Sequence, residues 1–288
     1  MPDWSLDVTE SYRVTETVSE SLGVASRFVA ARRGALALTH YPGPLPENLE
    51  TAYQRQDQAI GLWPDQLCGW KVGRIPDLWL ARMGEDRLMG PVFQRQCLWL
   101  QPGQTAELPV IQDGFAAVEA EYIFVLGTDA DPQRSDYTPE EALQLAGSFH
   151  IGIELAGSPL ATINALGPAI VVSDFGNNAG VFVGPDIPSW HSLDLLRLNC
   201  STYVDGALVG QGGGWFLPGG PAAALAFALN RGAKRHRPLK AGMLVSTGAA
   251  TGIHDILPNQ QARLVFDGIG ELTARGIPAT PMPEAEAS

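Results

Sequence analysis

The sequence predicts an α+β fold, in which a helical N-terminal third precedes a strand-rich remainder. Apolar residues recur at helical spacing before about residue 90, whereas short β-branched runs separated by Gly and Pro dominate after it. Helices and strands do not alternate regularly, which argues against a doubly wound sheet. We therefore divide the chain into a mainly helical region (1–88), a β-rich region (89–277) and a flexible tail rich in Pro, Ala and Glu (278–288).

Four helices are predicted, each from an apolar face and its end signals. The first ends at Gly34, a residue that suits a helix C-terminal cap. In the third, Thr138 starts a Thr-Pro-Glu-Glu segment, so that Thr138 and Glu141 can form a reciprocal capping box. The predicted helices are 17–33, 47–60, a segment after Thr138, and 221–231.

The predicted strands are short runs of β-branched and apolar residues bounded by Gly and Pro. Asp205-Gly206 separates two of these runs, and this dipeptide favours a type I′ hairpin turn. The predicted strands are 117–126, 152–155, 170–172, 180–183, 196–204, 207–209, 243–246 and 262–266.

Composition narrows the class of function. Hydrophobic residues make up 45% of the chain, which is enough for a core, and the net charge of −12 argues against nucleic acid or an anionic membrane as the main partner. The three cysteines form no C-x-x-C pair, which indicates neither a zinc site nor a disulfide framework. Because residues 1–14 lack a signal pattern and no window is apolar enough for a membrane span, we expect a cytoplasmic protein.

Two acids interrupt the predicted strand 117–126. At alternate positions, Glu119 and Glu121 point to one face, opposite to Val118, Ala120 and Tyr122. Carboxylates in an apolar strand are costly unless a positive charge compensates them, and Mg²⁺ or Mn²⁺ prefers such oxygens. The alternative is an edge strand whose acids face water.

Two further charged residues sit in apolar strand-like runs. Glu154 follows Ile151-Gly152-Ile153 and either supplies a third oxygen ligand or forms an ordinary salt bridge with an arginine. Lys71 lies between Gly69 and Gly73, where small residues allow a ligand to approach. A partly buried lysine can exchange protons, whereas a surface lysine would only extend its ammonium into water.

Together these motifs resemble the 2-keto-4-pentenoate hydratase family of the fumarylacetoacetase-like superfamily. The resemblance extends from about residue 45 to 272, and its most specific parts are V-E-A-E at 118–121 and L-K-A-G-M-L-V-S-T-G at 239–248. Val172-Ser173-Asp174 and Asn177-Asn178 contribute as well. The resemblance implies that the strand-rich region has the fold of the fumarylacetoacetase C-terminal domain.

The resemblance also implies a reaction and a set of residues. Members add water to a 2-hydroxy-2,4-dienoate, with Mg²⁺ or Mn²⁺ chelating the 2-oxo acid, and they form homo-oligomers. The implied metal ligands are Glu119, Glu121 and Glu154, and the implied catalytic residues are Lys71 and Asp174. Ser246 or Thr251, together with Arg74, is implied to bind the substrate.

Several segments depart from the family pattern. The lysine motif continues as Gly73-Arg74-Ile75-Pro76, where relatives often have G-L-T-S, and the acid of the usual Q-P-D-F-G segment is missing from residues 88–93. Residues 156–158 read A-G-S where relatives usually have D-S-R, and residues 219–221 read G-G-P in place of the G-H-P motif. These departures leave the metal ligands intact and leave substrate identity open.

Three alternatives therefore stand beside the hydratase. The first is a 2-oxo-3-hexenedioate decarboxylase. A basic residue placed to bind a second substrate carboxylate would favour this alternative, and Arg74, Arg82 and Arg95 are candidates. The second is an acylpyruvate C–C hydrolase, which would need a His–Glu pair to activate water. A non-catalytic 2-oxo-acid-binding homologue would keep the scaffold without turnover.

Overall fold

Residues 18–283, which the computed structural model describes, form two β-sheets and a set of α-helices. The helices are α1 (Val18–Gly34), α2 (Leu49–Leu62), α3 (Asp77–Met83), α4 (Pro139–Leu143), α5 (Ile163–Leu166), α6 (Pro168–Ser173) and α7 (Gly220–Lys234). The strands are β1 (Leu67–Arg74), β2 (Arg87–Phe93), β3 (Cys97–Trp99), β4 (Thr105–Val110), β5 (Phe115–Leu126), β6 (Ala146–Ser158), β7 (Asn178–Asp186), β8 (Asn199–Val204), β9 (Ala207–Gly213), β10 (Leu244–Ser246), β11 (His254–Asp255), β12 (Gln261–Phe266) and β13 (Gly270–Pro278).

The larger sheet carries the charged residues singled out in the sequence. Its strand order is β2-β1-β10-β5-β6-β7-β3, with β11 paired to β5. The long strands β5 and β6 are antiparallel neighbours at its centre, while β1 joins through the short strand β10. The smaller sheet has the order β4-β13-β12-β8-β9. The α+β class is confirmed.

The N-terminal third is not helical throughout. It contains α1, α2 and α3, but also β1 and the beginning of β2, which pair in the larger sheet. The run around Lys71 in β1 had a strand-like pattern in the sequence, whereas β2 gave no such signal because it is buried along nearly its whole length and lacks alternation. The strand carrying Lys71 is therefore part of the same sheet as the strands carrying the three glutamates.

One predicted strand is a helix. Residues 170–172 lie in α6, which begins at Gly167-Pro168, and Pro is well suited to the first turn of a helix. The β-branched side chains that suggested a strand are buried in this helix, beside α2. Tertiary burial overrides their preference for extended backbone.

The predicted hairpin turn, the predicted capping box and the predicted faces of β5 agree with the structure. The Asp205-Gly206 turn joins β8 to β9 with positive φ angles of 49° and 81°, as a type I′ turn requires. Thr138 and Glu141 form the predicted capping box of α4. The apolar face of β5, which includes Val118, Ala120 and Tyr122, packs into the main core, so the acids point away from it.

Some predictions concern residues that are not described. Residues 1–14, Thr17 at the predicted start of the first helix and residues 284–288 of the predicted tail lie outside the described range. Among residues 18–283, no helix combines the length and the apolar character needed to cross a bilayer.

Candidate metal and substrate site

Three glutamates meet on one face of the larger sheet. Glu119 lies directly opposite Glu154 in the register of β5 and β6, and Glu121 lies two residues further along β5 on the same face. All three side chains are buried. One carboxylate oxygen from each lies within 4.8 Å of the others, which is close enough for all three to bind one ion. The structure thus brings the three predicted metal ligands together.

The hydrogen bonds of this cluster leave part of each carboxylate unsatisfied. Asn178 donates its amide N–H to Glu154 Oε1 at 3.0 Å, and the backbone N–H of Gly248 donates to Glu121 Oε2 at 2.7 Å. One buried oxygen of each glutamate has no hydrogen-bond partner: Oε1 of Glu119, Oε1 of Glu121 and Oε2 of Glu154. Since buried acceptors without partners are costly, a cation that accepts three oxygens fits this site.

Lys71 reaches the cluster from β1. Its side chain is 4% exposed, and its Nζ lies 3.3 Å from Glu154 Oε1. Burial by itself lowers the pKa of this ammonium, but Glu154, Glu119 and Glu121 together raise the pKa above its ordinary value. Lys71 is therefore a charged donor at the site.

One lysine does not balance three acids. Burial and the neighbouring Glu154 raise the pKa of Glu119 to about 8, against the lowering effect of Lys71. Burial, Glu154 and Glu119 raise the pKa of Glu121 well above its usual range. Ionisation of Glu119 and Glu121 is therefore costly without further positive charge, which a divalent cation would supply.

A cavity of about 380 Å³ leads to this cluster. Lys71 and Glu119 form part of its lining, and Thr247 and Gly248 form another part immediately after β10 ends. The Thr247 hydroxyl donates to the carbonyl oxygen of Tyr122 at 2.8 Å, which ties the 247–248 turn to β5. A small molecule in this cavity can therefore contact both the ammonium and one carboxylate.

Asp174 lies elsewhere. Its Oδ1 accepts from Nε of Arg32 at 2.5 Å, and its Oδ2 accepts from the same guanidinium at 3.0 Å and from Ser158 at 2.6 Å. Asp174 is not among the residues that line the cavity. Lys71 lines the cavity and this predicted catalytic acid does not, and both of its carboxylate oxygens are engaged by Arg32 and Ser158.

The three predicted substrate-binding residues differ in position. Ser246 lies beside Lys71 in the sheet, but its hydroxyl is fully buried, has no hydrogen-bond partner and does not line the cavity. Thr251 is hydrogen-bonded to the Thr202 hydroxyl at 2.7 Å and also lies outside the lining. Arg74 does line the cavity, at its exposed end.

Two histidines that could have joined the site have other partners. His150 approaches the Gly184 carbonyl oxygen at 3.2 Å and the Ser148 hydroxyl at 2.8 Å. His254 approaches the Thr251 carbonyl oxygen at 3.0 Å. Burial lowers the pKa of both imidazoles. Neither histidine lines the cavity.

Sequence reasoning assigned no role to several residues that shape the site. Asn178 was noted only within a motif, yet its side chain holds Glu154. Arg32 was counted as part of a helix, although it binds Asp174 and the carbonyl oxygens of Asn178 and Gly157. A buried arginine near the end of a helix gives no sequence signal, because its partner lies 142 residues away. Trp79, which forms part of the cavity wall, was also given no role.

Comparison with known proteins agrees with this geometry. The chain is 30% identical over 158 residues to 2-keto-4-pentenoate hydratase from Paraburkholderia xenovorans and to 2-keto-4-pentenoate hydratase 3 from Pseudomonas putida. The chain is therefore similar in sequence to two proteins named 2-keto-4-pentenoate hydratase. The match covers 54% of this chain and 56% of each relative, so it spans little more than half the length of these curated proteins.

Solved structures extend the similarity in fold to most of the chain. The chain superposes on 4-oxalocrotonate decarboxylase from Pseudomonas putida G7, solved with calcium and acetate, with a TM-score of 0.76 and 20% identity over 91% of this chain and 99% of that one. Fumarylpyruvate hydrolase from Pseudomonas aeruginosa, solved with Mn²⁺ and pyruvate, superposes with a TM-score of 0.54 and 18% identity over 75% of this chain and 91% of that one. No family model matches the chain. These neighbours confirm the fumarylacetoacetase-like fold.

Proposed function

We propose that this protein is a divalent-metal-dependent hydro-lyase that adds water to a 2-hydroxy-2,4-dienoate. The observation that carries the proposal is the buried Glu119, Glu121 and Glu154 cluster, in which each carboxylate has one oxygen without a partner. Hard oxygen ligands and a net negative charge favour Mg²⁺ or Mn²⁺. Relatives named 2-keto-4-pentenoate hydratase and neighbours solved with Mg²⁺, Ca²⁺ or Mn²⁺ support it.

When bound, the cation supplies Lewis acidity toward the carboxylate and 2-oxygen of a 2-oxo acid. The protein's own residues then hold the substrate and move its protons. Lys71 carries a positive charge at the cavity wall, so it can stabilise enolate charge on the substrate and donate a proton to it. The backbone N–H of Gly248 and the amide of Asn178 fix the two glutamates that do not line the cavity.

The reaction consists of two proton movements and one addition. A proton passes from the 2-hydroxyl group of the dienoate to carbon 5, which gives the 2-oxo-3-ene form. The oxygen of water then bonds to carbon 4, and the second proton of the net addition goes to carbon 3 to give a 4-hydroxy-2-oxo acid. We propose Lys71 for proton transfer because it is the cationic side chain that both lines the cavity and contacts the acid cluster.

The hydrolase alternative has less support. Hydrolysis of an acylpyruvate would require a base that activates water, which we sought as a His–Glu pair. Among the residues that line the cavity within the described range there is no histidine, and His150 and His254 are engaged elsewhere. Glu119 remains the acid at the cavity, and it belongs to the cluster proposed to bind the cation.

The test is a direct assay with defined substrates. Purified protein with Mg²⁺ should remove the ultraviolet absorbance of 2-hydroxypenta-2,4-dienoate and form 4-hydroxy-2-oxopentanoate, and EDTA should stop the reaction. Carbon dioxide release from 2-oxo-3-hexenedioate without hydration would instead assign a decarboxylase. Magnesium binding without turnover of any dienoate would assign a non-catalytic binding protein.

We also propose that the protein is a homo-oligomer, as its hydratase relatives led us to expect from the sequence. Light scattering coupled to size-exclusion chromatography would measure the mass in solution. A mass equal to the 30.8 kDa chain at all concentrations would contradict this proposal.

A further inference from the structure

The cavity is larger than a five-carbon acid needs. Its volume of about 380 Å³ lies within the range of pockets that enclose drug-sized ligands, roughly 300–1,000 Å³. The polar groups proposed to act on the substrate, Lys71 and Glu119, are buried and so define its inner end. Along β1 the exposure rises from Lys71 to Arg74, so this strand runs from the inner end to the opening.

The walls between these two ends are mainly apolar. Val72, Leu88 and Val171 are buried wall residues, whereas Phe216 and Ile253 are 40% and 51% exposed and lie at the opening. Burial of an apolar substituent against such walls removes hydrocarbon surface from water. The wall composition therefore favours a substrate that carries an apolar group beyond the reacting carbons.

Trp79 is a fixed part of this wall. Gly167 has a φ of 107° and no side chain, and a Cβ atom there would lie 2.6 Å from the indole, so the indole packs directly on the backbone at the start of α6. The guanidinium of Arg82, which also belongs to α3, lies 5.6 Å from the centroid of the Trp79 ring. An indole held in this way offers a flat surface for an aromatic or branched alkyl group.

Cations near the opening already have partners. Arg74 binds Asp77 at 2.7 Å, and Arg87 binds Asp86 at 2.6 Å and also donates to the Pro218 carbonyl oxygen. Asp255 adds a carboxylate to the lining. Of the other basic candidates for a second substrate carboxylate, Arg82 and Arg95 do not line the cavity. A dianionic substrate would therefore meet uncompensated negative charge at this end.

We propose that the site selects a monocarboxylic 2-hydroxy-2,4-dienoate with a bulky apolar substituent at the end remote from its carboxylate. This proposal rests on the proposed hydratase function. In it, Trp79 is a specificity-determining residue that contacts the substituent. The apolar walls disfavour a second carboxylate, and the pairing of Arg74 with Asp77 offsets the charge that would otherwise attract one.

The first experiment compares three substrates with the wild-type protein and Mg²⁺. We expect kcat/KM for a 5-phenyl-substituted 2-hydroxy-2,4-dienoate to exceed that for the five-carbon dienoate at least about tenfold, since even one extra methylene in an apolar pocket contributes roughly tenfold or more. The six-carbon diacid should give the lowest value. A preference for the diacid or the unsubstituted acid would overturn the inference and leave the hydratase function standing.

The second experiment tests the assigned wall. Trp79→Ala should reduce the ratio of kcat/KM for the phenyl substrate over the five-carbon substrate from about tenfold to near one. Trp99→Ala is the matched control, because Trp99 is 54% exposed and does not line the cavity. A ratio unchanged by Trp79→Ala would contradict the assignment of Trp79.

The third experiment changes charge rather than shape. Asp77→Asn releases Arg74 and should raise kcat/KM for the diacid several-fold, while Asp136→Asn removes the exposed pair with Arg134 and should have no effect. An unchanged diacid rate in Asp77→Asn would refute the role of this pair. Absence of Mg²⁺-dependent turnover with all three substrates would overturn the hydratase function and this inference together.

Discussion

Two buried acid sites in this molecule differ in how completely their oxygens are satisfied. Asp174 accepts hydrogen bonds on both oxygens, and Arg32 balances its charge. The cluster of Glu119, Glu121 and Glu154 has one lysine for three acids, and each acid retains an oxygen without a partner. A buried acid with complete partners serves the fold, whereas incomplete partners indicate a place for a ligand. This contrast separates Asp174 from the three glutamates, which the family resemblance had grouped together as site residues.

The largest effect is expected at the incomplete cluster. Glu119→Gln keeps the side-chain shape but removes a proposed cation ligand, so turnover should fall by at least about a thousandfold, or about 4 kcal/mol of transition-state stabilisation. The free energy of unfolding without Mg²⁺ should change little. Steady-state assays and denaturant unfolding would measure both. Glu107→Gln, on the exposed face of β4, is the control and should be active.

The satisfied site should respond in stability and not in chemistry. Asp174→Asn leaves the Arg32 charge buried without compensation, and the free energy of unfolding should fall by about 3 kcal/mol or more. The kcat of the folded fraction should stay within about threefold of wild type. Urea denaturation and active-site titration would separate the two effects. A large loss of kcat at unchanged stability would instead support the catalytic role first predicted for Asp174.

A smaller effect is expected from the residue that orients a proposed ligand. Asn178→Ala removes the donor to Glu154 Oε1, and loss of such a supporting hydrogen bond should weaken Mg²⁺ affinity about 10- to 100-fold. Calorimetric titration with Mg²⁺ would measure this change. Asn199→Ala, at an exposed position on β8, is the matched control. Equal affinities for wild type and Asn178→Ala would remove Asn178 from the proposed site.

The smallest effect concerns pH and sharpens the same contrast. The pKa of Glu119 rises from 4.5 to about 8 on folding, so the folded state binds more protons than the unfolded state between these values. Stability of the metal-free protein should therefore fall as pH rises through this window, and the raised pKa of Glu121 acts in the same direction.

Added Mg²⁺ should compensate for this loss, so the gain in Tm on adding Mg²⁺ should grow from about pH 5 to 8. Thermal unfolding with and without Mg²⁺ at several pH values would measure the gain. The same series with Glu119→Gln should show a weaker pH dependence. A gain in Tm that shrinks toward pH 8 would contradict the pKa assignment.

Strand alternation explains why much of the cluster was predictable. Residues two apart on a strand share a face, so the pattern V-E-A-E specified that Glu119 and Glu121 point together and away from the core-facing Val118 and Ala120. Glu154 required knowledge of strand pairing. Its position opposite Glu119 follows from the register of β5 and β6, which no local pattern defines.

The failures have a common physical cause. Residues 170–172 are β-branched and were predicted to be a strand, but the Gly167-Pro168 helix start and burial beside α2 make them helical. The strand β2 was hidden within a region read as mainly helical, because buried strands lack alternation, although the run around Lys71 in β1 was read as strand-like. The catalytic role of Asp174 stays a prediction, although the motif behind it did not specify the Arg32 that its carboxylate meets.

The sequence by itself determined the class of fold, the capping box of α4, the hairpin at Asp205-Gly206 and the residue types suited to a divalent cation. These features depend on neighbours along the chain or on fixed periodicity, so local chemistry is sufficient. Only the tertiary structure decided which acids share a cluster, that Arg32 neutralises Asp174, and that Trp79 lines a cavity with mainly apolar walls. These contacts join residues far apart in the chain, and burial, which gives each charge its energetic consequence, exists only once the sheet and helices have packed.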